Sequence, residues 1–300
     1  MRRIFAITAL LAVMTIIALS ARGEQGDSIP SKVVSTPSPT KGWYETLRLR
    51  GYAQLRYNGL FETNPNLACD QCDKSWGGEG GGFFFRRIRL VFFGQIHERV
   101  YLYIQPDFAS GGANLAQIRD AYFDLALDAK QEFRLRIGQS KVPFGFENMQ
   151  SSQNRLPLDR HDGMNSAVPN EREAGVFFYY APKEIRDRFR YLVSSGLKGS
   201  GDYGMFGFGL YNGQGPNAQD RNKSVHVVSR MTYPFLLKSG QIIEASFQGY
   251  SGKYIVRPSA AIDAGQNEFK DYRYGPSLII YPQPFGLQVE YNWGVGPEYD

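Results

Sequence analysis

Histidine and cysteine are scarce, with 3 His and 2 Cys in 300 residues. His97, His161 and His226 stand far apart, and the one CxxC, Cys69-Asp70-Gln71-Cys72, has no second pair. A structural zinc site needs four such ligands. Nucleophilic catalysis needs a Ser or Cys with a His and an acid, and no G-x-S-x-G elbow is present. No catalytic residue, metal or cofactor is therefore expected. In an exported polar loop, Cys69 and Cys72 read as a local disulfide. Long apolar runs are missing after Leu19, where no window approaches the about 18 residues of a membrane helix, so a helical membrane protein is excluded. A large excess of one charge is missing too. The formal charge is +5. A nucleic-acid partner calls for a clustered basic face, and none is evident.

The N-terminus reads as a signal peptide over residues 1–20. Arg2 and Arg3 precede an apolar stretch of 16 residues, Ile4 to Leu19, with small residues at Ala18 and Ser20 for cleavage. Removing the two arginines lowers the charge from +5 to +3. Residues 21–45 are polar, with Pro30, Pro37 and Pro39 among Ser and Thr, and read as a flexible linker.

What the chain has in quantity is 19 Tyr, 21 Phe and 33 Gly. That is an all-β composition, and one that suits the girdles and turns of a membrane barrel. From residue 46 the sequence alternates. Over residues 47–57, odd positions carry Leu47, Leu49, Gly51, Ala53, Leu55 and Tyr57, and even positions carry Arg48, Arg50, Tyr52, Gln54 and Arg56. Side chains alternate faces along a strand, so one face is apolar and the other holds three arginines. The pattern repeats with Arg87, Arg89 and Gln95 against Ile88, Leu90 and Phe92, and with Arg134 and Arg136 against Phe133, Leu135 and Ile137. Asp107, Asp120 and Asp124 fall on polar faces of the strands between.

Weaker repeats near 174–180, 189–197, 204–212, 224–233, 241–250, 273–281 and 286–293 bring the total to about twelve strands, with no helical periodicity. Residues 46–300 thus read as one antiparallel transmembrane β-barrel, apolar face to lipid and polar face to lumen. Aromatics near strand ends, among them Tyr57, Tyr101, Tyr103, Phe108, Tyr179 and Tyr211, read as membrane girdles. Two alternatives are a structural or adhesive barrel without an open pore and a soluble secreted β-protein, in which the apolar face would make a core.

Connections alternate long and short, as barrel loops and turns do. The two halves of the chain are out of phase, however, which calls for a missed strand or a misassigned turn between Ser140 and Gly204. The last strand is followed only by a polar tail to Asp300, without a terminal aromatic strand, and suggests an incomplete barrel. Gly199-Ser200-Gly201-Asp202-Tyr203-Gly204 matches G-x-G-x-x-G. Strand-like residues follow it where a dinucleotide site needs a helix, so it reads as a turn.

Lumen arginines Arg48, Arg50, Arg56, Arg87, Arg89, Arg134 and Arg136 form a fixed positive wall whose forks suit phosphate or carboxylate. The plainer reading pairs them with Asp107, Asp120 and Asp124. The polar segment from Ser140 to Arg172, holding Lys141, Arg155, Arg160 and Arg172 along with Glu147, Asp159, Asp162 and Glu171, is long enough to be functional. It is expected to fold into the barrel mouth.

Several stretches carry a family resemblance: Arg86-Arg87-Ile88-Arg89-Leu90, Arg119-Asp120-Ala121-Tyr122-Phe123-Asp124, Ile137-Gly138-Gln139-Ser140-Lys141-Val142-Pro143-Phe144-Gly145 and Tyr211-Asn212-Gly213-Gln214-Gly215. Together with Ser151-Ser152, they resemble the phosphate-selective porin O and P family from about Leu47 to Trp293. The resemblance implies a homotrimeric barrel of the bacterial outer membrane with about sixteen strands, of which about twelve would be present here. It further implies a lumen that passes small anions, phosphate among them, past the arginines named above together with Lys141 and Arg172.

Overall fold

A computed structural model describes residues 42–58, 82–108, 116–168, 171–256 and 267–296. The signal peptide, most of the linker and the Cys69–Cys72 pair lie outside the described residues.

Alternation produces strands, and the strands produce one sheet. In chain order these are β1 (Arg48–Asn58), β2 (Gly82–His97), β3 (Val100–Asp107), β4 (Gln117–Ala126), β5 (Phe133–Lys141), β6 (Arg172–Tyr180), β7 (Phe206–Tyr211), β8 (His226–Leu236), β9 (Ile242–Ile255), β10 (Glu268–Ile280), β11 (Leu287–Glu290) and β12 (Trp293–Val295). They form a 12-stranded sheet in which neighbours in sequence pair, with β11 and β12 both on β10. The pairings are antiparallel throughout. No pairing joins β1 to β11 or β12 among the described residues. A two-sheet sandwich is excluded, because every described strand belongs to this one sheet.

The two faces are inverted relative to a soluble protein. One exposes Leu49, Leu55, Leu90, Phe92, Val176, Leu210, Met231, Phe247 and Leu278. The other buries Arg87, Arg89, Asp107, Asp124, Arg134, Arg136, Arg230, Glu244 and Gln248. Burying charge without partners costs several kcal/mol per ion at least, so an inner face of this kind has to be densely paired. The girdle reading needs correction. Tyr101, Tyr103, Tyr179, Tyr211, Tyr250 and Tyr281 are buried on the inner face. They share strand parity with the charged residues, and parity, not nearness to a strand end, decides the face. Tyr57, Phe108, Tyr233 and Trp293 are exposed.

One expected strand is a helix. Residues 189–197 fall largely in α3 (Lys183–Ser194), which follows α1 (Phe146–Met149) and α2 (Asp162–Ala167). Ile185, Phe189, Leu192 and Val193 recur at helical spacing and are buried. The outer face is held by Lys183–Asp187 and Glu184–Arg188 pairs four residues apart. With α3 counted as a connection, the phase conflict disappears. Short turns and α3 then occupy one end of the sheet, and all long connections occupy the other.

Two segments fold back onto the inner face. From the long-connection end, residues 142–171 bring Val142, Phe144, Met164, Ala167 and Val168 onto Phe177, Tyr179, Tyr211, Val228 and Tyr250. A Cβ at Gly209 would stand 2.2 Å from the Phe177 ring, so the missing side chain lets that ring lie across β7. From the short-turn end, α3 packs Ile185, Phe189 and Leu192 with Phe146, Ile242, Ile279 and Tyr281. The β6–β10 half of the inner face is therefore filled with apolar packing. The β1–β5 half carries Arg87, Arg89, Arg119, Arg134 and Arg136, all buried.

Candidate functional site

The charged side chains form tiers along the strand axis. At the long-connection end, Asp159 of the infolded segment accepts from Arg56 at 2.6 Å, Arg86 at 2.9 Å and Arg87 at 3.0 Å. Although burial would raise its pKa, Arg86, Arg56 and Arg87 hold this carboxyl below its ordinary value. In the next tier, Arg89 meets Asp107 at 2.7 Å, Tyr52 at 2.9 Å and Ser152 at 3.1 Å. Arg172 meets Asp120 at 3.0 Å and also Glu171. Glu171 is shared with Arg155 and Arg160. Burial opposes its charge, but Arg155, Arg172 and Arg160 keep it ionised far below the ordinary carboxyl range.

Further along, Arg136 lies opposite Asp124 in the sheet register and grips it with two nitrogens at 2.7 and 2.9 Å. Its guanidinium sits 3.9 Å from the centre of the Tyr122 ring. At the short-turn end, Asp202 joins Arg134 at 2.6 Å and Arg186 of α3 at 2.9 Å. Burial works against ionisation there as well, yet the two arginines hold its pKa at about 2.

Between these tiers is a cavity of about 710 Å³, counted out to its open mouth. Five of the residues singled out from sequence line it: Arg50, Arg89, Arg136, Lys141 and Arg172. Arg56 and Arg87 belong to the Asp159 tier above, and Arg134 to the Asp202 tier below. Arg48 stands exposed near the short-turn end, away from the cavity. Lys141 also has a structural task, donating to the carbonyls of Met149 at 3.2 Å and Gln150 at 2.5 Å, which ties the infolded segment to β5.

Sequence reasoning gave no site role to Arg86, Arg119, Arg186 and Arg230, whereas Arg155 and Arg160 lie in the segment from Ser140 to Arg172 that it singled out. Arg86 and Arg119 are explained by bulges. The β1–β2 register skips Arg86, and the β3–β4 register skips Arg119 between Gln105 and Pro106. A bulge inserts one residue and re-aims its neighbours. Arg86 and Arg87 both reach Asp159, and Arg119 and Asp120 are both buried. The signal was available: two consecutive charged residues inside an otherwise alternating strand. The helix arginine Arg186 carried no such signal.

The infolded segment also carries a titratable contact. His161 Nδ1 bonds Glu147, and Glu290 of β11 accepts from the Phe146 amide. The Glu147 bond, opposed by partial burial, raises the His161 pKa, with Glu290 adding to it and Arg160 opposing. A raised folded-state pKa means the contact is fully present below the ordinary histidine value of about 6.5 and is lost as pH rises through the raised value. Protease cleavage within residues 150–165 is therefore expected to quicken on going from about pH 6 to about pH 9, and His161→Asn should abolish that rise. A cleavage rate equally pH-dependent in the variant would refute the assignment.

No curated protein matches the chain. The phosphate-selective porin O and P family matches it over residues 70–299, which is 299 − 70 + 1 = 230 of 300 positions. The matched span takes in the sheet from β2 onward, both infolded segments and the arginine tiers apart from the β1 residues Arg50, Tyr52 and Arg56. That family is one of channels, not of enzymes. The inverted sheet and the family match agree, and the chain belongs to the phosphate-selective porin O and P family.

Proposed function

We propose that the protein is a porin of the bacterial outer membrane, its apolar face against lipid and its inner face around a water-filled path for small anions, phosphate among them. Homotrimeric assembly is part of this reading and follows from the family alone. The observation that carries the reading is the charge on the cavity wall. Among the residues that line the cavity, Arg50, Arg89, Arg136, Lys141 and Arg172 are five cations and Asp120 and Asp202 two anions, so 5 − 2 leaves three positive charges. Low-dielectric walls focus the field of such charges into the space between them. The paired arginines hold the wall together and the excess biases the ion passing it.

The purified protein in a planar bilayer under a salt gradient should give a reversal potential of anion-selective sign. Arg50 is the informative substitution, since it lines the cavity half-buried and lies near the Tyr103 hydroxyl at 3.4 Å. Arg50→Gln should move the reversal potential towards zero. The difference between variant and wild type should shrink as salt rises to about 1 M, where the screening length is about 3 Å. A cation-preferring wild-type pore would end this reading. A folded protein with no conductance at all would favour the plugged barrel, which the packing over β6–β10 makes a real competitor.

A further inference from the structure

We propose that Asp159 is a displaceable stand-in for a free oxyanion. It fills a cage of Arg56, Arg86 and Arg87 at the long-connection end, and an incoming phosphate takes its place and releases the tip of the infolded segment. The proposal rests on the reading of the inner face as an anion path, and it adds how that path is entered.

The cage offers more than one carboxylate can use. Arg56 reaches Oδ2 of Asp159 at 2.6 Å, and Arg86 and Arg87 share Oδ1 at 2.9 and 3.0 Å. Among the described residues no other carboxylate pairs with these three guanidiniums, so 3 − 1 leaves two positive charges on the cage. Donors are left over as well. Arg86 Nε and Arg87 Nε are buried and have no partner among the described residues, and the Arg87 side chain is only 4% exposed. A buried donor left unbonded costs free energy. A side-chain carboxylate brings one negative charge and two oxygens. A hydrogen phosphate dianion brings twice the charge and twice the oxygens, and guanidinium forks match its geometry. The cage therefore suits the free anion better than the side chain that fills it.

The occupant is also placed to leave. The side chains of Asp159 and Arg86 are each about a third exposed, so solvent and its ions reach the cage. The chain next to Asp159 is lightly held. Leu156 and Leu158 are 66% and 67% exposed, and little apolar burial is lost when they swing outward. Arg56 also donates to the Leu158 carbonyl at 2.8 Å, so one guanidinium holds both Asp159 and the peptide bond before it. The rest of the segment is anchored elsewhere. Val142, Phe144, Met164 and Val168 lie in apolar packing, and Arg155 and Arg160 are paired with Glu171. Displacement is thereby confined to the tip between Arg155 and Arg160. A ligand shifts such an equilibrium only through its preference for one state, and the preference here is for the cage that Asp159 has vacated.

The test uses the detergent-solubilised full chain with inorganic phosphate, and with sodium chloride at matched ionic strength and pH. Chymotrypsin cleavage after Leu158 reports the tip, and calorimetry reports phosphate binding. Phosphate is expected to speed cleavage of the wild type severalfold, and chloride to leave it nearly unchanged. Asp159→Asn removes the competing charge. The variant should be cleaved quickly without phosphate and should bind phosphate about tenfold more tightly, because the competent state is no longer a minor one. A gain of positive charge alone would tighten binding in the variant but would not make phosphate drive cleavage in the wild type. Wild-type cleavage indifferent to phosphate would overturn the proposal. So would an equal acceleration by chloride, which is screening, and so would an unchanged phosphate affinity in Asp159→Asn. Neither readout uses current, so the two readings fail separately. An anion-selective pore whose tip ignores phosphate defeats the displacement and leaves the pore. Phosphate-driven cleavage in a protein without current defeats the pore and leaves the displacement.

Discussion

Replacing Arg230 with Met is expected to destabilise the folded protein by about 3–5 kcal/mol, the usual penalty for stranding one partner of a buried ion pair. Arg230 on β8 and Glu244 on β9 are 2.9 Å apart with side chains 2% and 1% exposed. Thr232 and Tyr281 donate to the same carboxylate at 2.8 and 2.5 Å. Without the guanidinium, Glu244 must stay charged with only two hydroxyl donors or take up a proton. Either way free energy is lost. Glu244→Met should be similarly harmful, because it strands the cation. The double variant Arg230→Met/Glu244→Met removes both charges and should recover most of the loss, since a buried pair contributes little over apolar side chains of similar size. The measurement is the guanidinium midpoint of unfolding in one detergent, read from the shift in unheated gel mobility. A double variant destabilised by the sum of the two single losses would show that the pair is not coupled.

Removing the infolded segment is expected to raise single-channel conductance severalfold. Residues 142–171 put Ser151–Gln153 over the cavity and cover the apolar inner face of β6–β9. Pore resistance follows the narrowest cross-section, so replacing the segment with a short Gly-Ser connection should widen the path. It should also free Arg56, Arg86 and Arg87 from Asp159 and take away Arg155 and Arg160. The exposed Phe177, Tyr179 and Tyr250 will cost stability, so the variant is scored only where gel mobility shows it folded. A gentler variant covers the other case. Asp159→Arg sets four guanidiniums against one another and should unseat the segment while keeping its apolar packing. If both folded variants conduct like wild type, the segment is not the constriction.

The ion-pair tiers explain why the inner face tolerates so much charge. Nearly every rung joins residues from different strands or from a strand and an infolded segment. Arg89–Asp107 and Arg136–Asp124 are direct cross-strand neighbours, where opposite charges stabilise the sheet modestly. The Asp159 and Asp202 tiers tie the two infolded segments to the wall.

The all-β class, most strand positions and the shared parity of the strand arginines were legible in the sequence. They rest on a period of two that any neighbour along the chain reveals, and Leu49, Leu90 and Phe92 accordingly face outward opposite Arg50 and Arg89. Helix α3 was also legible in principle, at Ile185, Phe189 and Leu192, but its alternating Arg186, Arg188 and Arg190 imitate a strand over a short window. Only the tertiary structure decided which arginines converge. Bulges at Arg86 and Arg119 break the period locally, and a bulge is set by pairing between two strands, not by either strand alone. The cavity itself depends on contacts between residues far apart in the chain. Arg56 meets Asp159 across 103 positions, and Arg134 meets Asp202 across 68. No local pattern encodes such distances, because they follow from how two segments fold back over a sheet that the alternation alone defines.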